Sequence, residues 1–109
     1  MSYSLPDVPE VTVAQLVRSL EPGSLQLVDV RELDEWLGGH ISGSLHIPLG
    51  EVPSRISELD PELPVVAICH SGVRSLYAVD FLLRSGFRDA RSLAGGIVAW
   101  AEAGQVLTR

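Results

Sequence analysis

The sequence predicts an α/β fold: a central, mainly parallel sheet with helices on both faces, forming a three-layer sandwich. Two runs, 25–30 and 64–69, carry apolar residues on both strand faces, as strands of a covered parallel sheet do. Helical apolar patterns alternate with strand-like segments along the chain. A length of 109 residues, 46% of them hydrophobic and 20% charged, suits one domain with one buried core.

The elements follow in order. Residues 1–10 read as an irregular arm, because Pro6 and Pro9 disfavour helix. Thr12 reads as an N-cap, with Gln15 three residues on as its capping-box partner. Val13, Leu16, Val17 and Leu20 then give one apolar helix face. Glu21-Pro22-Gly23-Ser24 is a turn, and 25–30 a strand. A short helix over 32–37 stops at Gly38-Gly39, and a short strand over 45–47 ends at Pro48. Residues 51–59 suggest a weak helix with Pro53 in its first turn.

The 64–69 run is β-branched and uncharged, which predicts a central strand. A loop, His70 to Arg74, leads to a helix over 75–84. That helix is apolar almost all round, so it is expected to be largely buried, with Gly86 as its terminator. Residues 90–93 form another strand, and Gly95-Gly96 turns into a last helix over 97–103. Residues 11–109 are thus read as a single domain.

Composition narrows the chemistry. The formal net charge is −6 and no basic stripe is visible, so neither nucleic acid nor a membrane surface is an expected partner. No apolar run reaches the roughly 20 residues that span a bilayer. Met1–Glu10 has neither a basic cluster nor an apolar stretch, so no secretory signal is expected and the expected compartment is the cytoplasm. All eight basic residues are Arg, which excludes chemistry through a Lys amine. A single cysteine, Cys69, excludes a disulfide within this sequence and a zinc site of several thiolates. Three scattered histidines, His40, His46 and His70, suggest no metal site.

Cys69 falls where the buried central strand ends and the buried helix begins, and open α/β sheets bind ligands at strand carboxyl ends. Gly72 permits a tight loop, whose successive N–H groups form an anion-binding nest. The following helix adds the positive end of its dipole, and Arg74 adds a fixed charge with a bidentate fork. An ordinary thiol is only about 3% ionised at pH 7. Nests, helix N-termini and nearby Arg favour the thiolate, which is the nucleophile. The same cradle suits an anionic donor and a negative group built on the sulfur. A lone buried cysteine is ordinarily a small core hydrophobe. Core filling, however, requires neither a glycine-bearing turn nor an Arg ahead of the helix.

Cys69-His70-Ser71-Gly72-Val73-Arg74-Ser75 resembles the active-site loop of single-domain rhodaneses. Asp29-Val30-Arg31-Glu32-Leu33-Asp34-Glu35-Trp36 and the segment 39–48 resemble that family's N-terminal signature. Leu93-Ala94-Gly95-Gly96-Ile97-Val98-Ala99-Trp100 resembles its C-terminal one. The resemblance runs from about Val11 to Ala103. It implies a rhodanese-like sandwich and sulfur transfer through a Cys69 persulfide, from a donor such as thiosulfate to cyanide or a thiol. In that reading Cys69 is catalytic. His70, Ser71, Gly72, Val73, Arg74 and Ser75 form the loop that binds the substrate, with Arg74 on the donor's anionic end. No metal or organic cofactor is implied. The partners are the small sulfur donor and acceptor, with a protein acceptor as a further option.

Cysteine phosphatases use Cys-x5-Arg. The Cys-x4-Arg spacing here makes a smaller ring, suited to a sulfur atom more than to a phosphoryl group. The competing reading is a non-enzymatic binding or sulfur-carrier module of the same fold. Asp29, Arg31 and Glu35 are read as a structural ion-pair network, in preference to an element that frames the active-site side, His40 and His46 as structural, and Trp36 and Trp100 as apolar anchors. The side chains of His70 and Ser71 either tune donor choice or leave the work to their backbone N–H groups.

Overall fold

A computed structural model describes residues 4–109. The sequence-predicted arm therefore extends beyond the described residues at Met1–Tyr3. Five strands form one sheet: β1 (Glu10–Val11), β2 (Gln26–Asp29), β3 (Leu45–His46), β4 (Val65–Ile68) and β5 (Ala90–Leu93). Their order is β1-β5-β4-β2-β3 and every pairing is parallel. The helices are α1 (Val13–Ser19), α2 (Leu33–Leu37), α3 (Val52–Arg55), α4 (Arg74–Arg84) and α5 (Gly96–Glu102).

Side-chain alternation along the strands splits the core in two. Val65, Ala67 and Cys69 pack with Val28, Ala78, Val79 and Leu82, on the face covered by α3 and α4. Val66 and Ile68 pack with Leu16, Leu27, Ile97 and Trp100, on the face covered by α1 and α5. This is the three-layer α/β sandwich that the two doubly apolar runs predict, with β4 central. Full burial of a side chain such as Ile68 is worth about 1.5–3 kcal/mol.

Local signals placed the elements well. Thr12 and Gln15 form the capping box, at 3.1 and 2.9 Å. Ser85 caps the C-terminus of α4, followed by Gly86 at φ +95°.

Four expectations change. Glu10 lies in β1, pairing with Ser92, while the Ser92 N–H donates to the Pro9 carbonyl at 2.9 Å. Proline excludes helix there but not an extended edge, and two residues carry no periodic signal. The segment 51–59 is not one helix: one α-turn, α3, lies between 3₁₀ turns Leu49–Glu51 and Ile56–Glu58. The fourth helix starts at Arg74, one residue early. It is also buried on one side only, with Tyr77 48% exposed, because an outer layer of the sandwich keeps one face in water. No helix among the described residues is long and apolar enough to cross a membrane.

Candidate active site

β4 lies between β2 and β5 and delivers Cys69 at its carboxyl end, in the middle of the sheet. The chain then reverses through His70–Val73 into α4. Val73 provides no side-chain cap, and among the described residues no side chain takes the first amides of α4. Gly72 holds φ +98°, a left-handed conformation suited to glycine, and a Cβ there would stand 3.0 Å from the Gly95 nitrogen.

The start of α5 fixes the loop from behind. The Ile97 and Val98 N–H groups donate to the Cys69 and His70 carbonyls at 2.9 and 3.1 Å. Gly96, at φ +56°, lets the two backbones meet, since a Cβ would overlap both of those carbonyl oxygens. The Gly-Gly pair read as a turn is therefore also the seat of the loop.

Three groups approach or support the sulfur. The Gly72 N–H donates to Cys69 Sγ at 3.1 Å, and Ser75 Oγ lies 3.2 Å from it. Ser75 Oγ in turn lies 2.7 Å from Ser92 Oγ, both serines being fully buried. Cys69 itself is 1% exposed. The thiol sits at the floor of the loop, while His70, Ser71 and Val73 form an exposed rim.

Arg74 is committed differently from the sequence expectation. Its Nη1 and Nη2 donate to Glu35 Oε1 and Oε2 at 2.7 and 2.8 Å, so its fork is closed on a carboxylate of α2. Glu35 also accepts the Glu32 N–H at 3.0 Å, as the third helical residue of the α2 capping box. The Arg74 hydrogen bonds, helped by the Glu32 amide and opposed by partial burial, lower the Glu35 carboxyl from 4.5 to about 2. The same pairing raises Arg74. Glu35 thus makes an ion pair, as the sequence reading expected, but with Arg74 at the end of the loop rather than within the Asp29–Arg31 group.

Asp29 and Arg31 are structural, as that reading held. Buried Arg31 donates Nε and Nη2 to Asp29 at 3.0 and 2.9 Å, and Nη2 also to the Gly39 carbonyl at 2.7 Å. His40 and His46 both stack on Trp36, with centroids 3.5 and 4.9 Å away. Their ring nitrogens meet the Trp36 and Arg31 carbonyls at 3.0 and 2.8 Å. These contacts brace α2, and through Glu35 the Arg74 end of the loop. Trp100 anchors the second core and donates Nε1–H to the Val106 carbonyl at 3.0 Å.

Ser92 was missed by the sequence reading. The available signal was strand alternation, which puts Ser92 on the same face of β5 as buried Ala90 and opposite exposed Arg91, where a hydroxyl must find a partner.

The rhodanese-like domain family matches residues 12–103. The chain belongs to this family. The thiosulfate sulfurtransferase GlpE of Shewanella oneidensis is 37% identical over 93 residues, covering 85% of this chain and 92% of its own. The putative sulfur carrier protein YrkF of Bacillus subtilis is 39% identical over 100 residues, covering 91% of this chain and 54% of its own. This rhodanese-like chain thus spans about half of that relative. Among solved structures, a rhodanese-related protein from Thermoplasma volcanium superposes with a TM-score of 0.84 at 30% identity, covering 93% of this chain and 98% of that one.

Proposed function

We propose that the protein is a sulfurtransferase in which Cys69 carries the sulfur. The Cys69 thiolate attacks the outer sulfur of a donor such as thiosulfate, the donor's S–S bond breaks, and sulfite leaves with the electron pair. Cys69 is left as a persulfide. Cyanide, or a thiolate of a small molecule or protein, then attacks the terminal sulfur and leaves as thiocyanate or a new persulfide, returning the Cys69 thiolate. This is covalent, ping-pong catalysis. It calls on no metal or organic cofactor.

The observation that carries the reading is the Gly72 N–H on Cys69 Sγ at the carboxyl end of the central strand. That amide is a donor aimed at the sulfur, and a loop too short for a phosphoryl ring suits a single added sulfur atom. The names of the relatives, a thiosulfate sulfurtransferase and a sulfur carrier, support the same chemistry.

His70, Ser71 and Val73 frame the entry, and Gly72 and Ser75 contact the sulfur. With its fork on Glu35, Arg74 acts by holding the loop against α2 and by its field on the donor's anionic end. Thiocyanate formation from thiosulfate and cyanide tests this reading. Many turnovers per chain are expected, and none in Cys69→Ser. A sulfur-carrier role, which the YrkF likeness favours as the second reading, gives at most one sulfur per chain.

A further inference from the structure

We propose that Ser92 is a positioning residue for the Cys69 sulfur, acting through Ser75. This rests on the reading of Cys69 as a nucleophile. Ser92 and Ser75 are both fully buried, and they lie on the α4 face of the sheet with Cys69. Their hydroxyl oxygens are 2.7 Å apart, and Ser75 Oγ is 3.2 Å from Cys69 Sγ.

The direction of the hydrogens follows from what each group meets. Among the described residues, Ser92 Oγ has one hydrogen-bonding partner, Ser75 Oγ. A buried hydroxyl hydrogen without an acceptor is costly, so Ser92 donates to Ser75. Ser75 has two side-chain partners, Ser92 and Cys69. With its oxygen accepting from Ser92, its own hydrogen goes to the sulfur. The chain therefore runs Ser92 to Ser75 to Cys69, with both O–H dipoles aligned toward Sγ.

A thiolate accepts this bond fully, together with the Gly72 N–H. A thiol would have to reverse the chain and leave the Ser92 hydrogen unpaired, or keep the chain and leave its own S–H unpaired. Ser92, inside β5, is thus the far end of a relay whose two O–H dipoles point at Sγ. The Ser92 backbone is itself held by β1, since its N–H donates to the Pro9 carbonyl at 2.9 Å. The short edge strand consequently helps fix the far end of the relay.

Cys69 is the sole thiol in the chain, so alkylation by iodoacetamide reads it alone. The rate is to be followed against pH for the wild type, Ser75→Ala, Ser92→Ala and the double variant, with no sulfur donor present. At neutral pH, Ser75→Ala is expected to slow alkylation about tenfold and Ser92→Ala about threefold. All rates converge at alkaline pH, where every thiol is ionised. On the Ser75→Ala background, Ser92→Ala has no further effect.

The proposal is overturned if Ser92→Ala matches the wild type at neutral pH. It is equally overturned if the slowing is the same at every pH, or if it persists on the Ser75→Ala background. Ser92→Gly removes the hydroxyl without added volume and must repeat the Ser92→Ala profile. Because no donor is used, this test can fail while sulfur transfer stands, and sulfur transfer can fail while the relay stands.

Discussion

Glu35 closes both carboxylate oxygens on the guanidinium of Arg74, 39 residues away, at 2.7 and 2.8 Å. The pair ties the third residue of a five-residue helix to the first residue of α4, where the loop around Cys69 ends. A bidentate fork fixes direction as well as distance, so α2 becomes a brace for the loop. The Trp36 stack with His40 and His46 in turn steadies α2.

Glu35→Gln is expected to cost about 1 kcal/mol of stability near neutral pH, a modest figure because both side chains are about one-third exposed. Its pH dependence is distinctive. The Glu35 carboxyl is lowered from 4.5 to about 2, chiefly by Arg74, so its contribution is complete above about 4.5 and fades as pH falls through about 2. Urea unfolding of both proteins across that range should show the difference shrinking toward acid.

Asp29→Ala is expected to cost about 3–5 kcal/mol, because it leaves the buried Arg31 guanidinium without its partner charge. Chemical denaturation measures this directly. Protein that remains folded should still accept sulfur on Cys69, since the pair makes no contact with the sulfur in this structure.

Gly96→Ala is expected to lower stability by about 2 kcal/mol or more and to reduce sulfur transfer at the same time. The added Cβ would overlap the Cys69 and His70 carbonyls at a φ of +56°. It therefore pushes α5 away from the loop it seats. Ala at Gly43, where a Cβ meets open space away from the loop, strains the backbone without touching the site. Comparing their turnover with thiosulfate separates backbone strain from loop displacement, and only Gly96→Ala should impair transfer in the folded protein.

What the sequence made legible was local. Thr12 and Gln15 cap the helix they precede, the doubly apolar runs become β2 and β4, and the Cys69–Ser75 loop lies between β4 and α4. Each depends on residues within a few positions of one another, where periodicity and capping act. The unread parts were pairings across the fold. Glu35 meets Arg74 at a separation of 39 residues and Ser75 meets Ser92 at 17, and no local pattern links them. The α4 estimate erred because apolar composition does not show which side faces solvent. Glu10–Val11 was too short for alternation to show, and it forms a strand because β5 offers it an edge.

Intact-mass measurement after excess thiosulfate tests the central claim most directly. The account predicts a gain of one sulfur atom per chain, located on Cys69, removed by cyanide with release of thiocyanate and absent in Cys69→Ser. A wild-type protein whose mass does not change, or a Cys69→Ser variant that takes up sulfur equally, would contradict it.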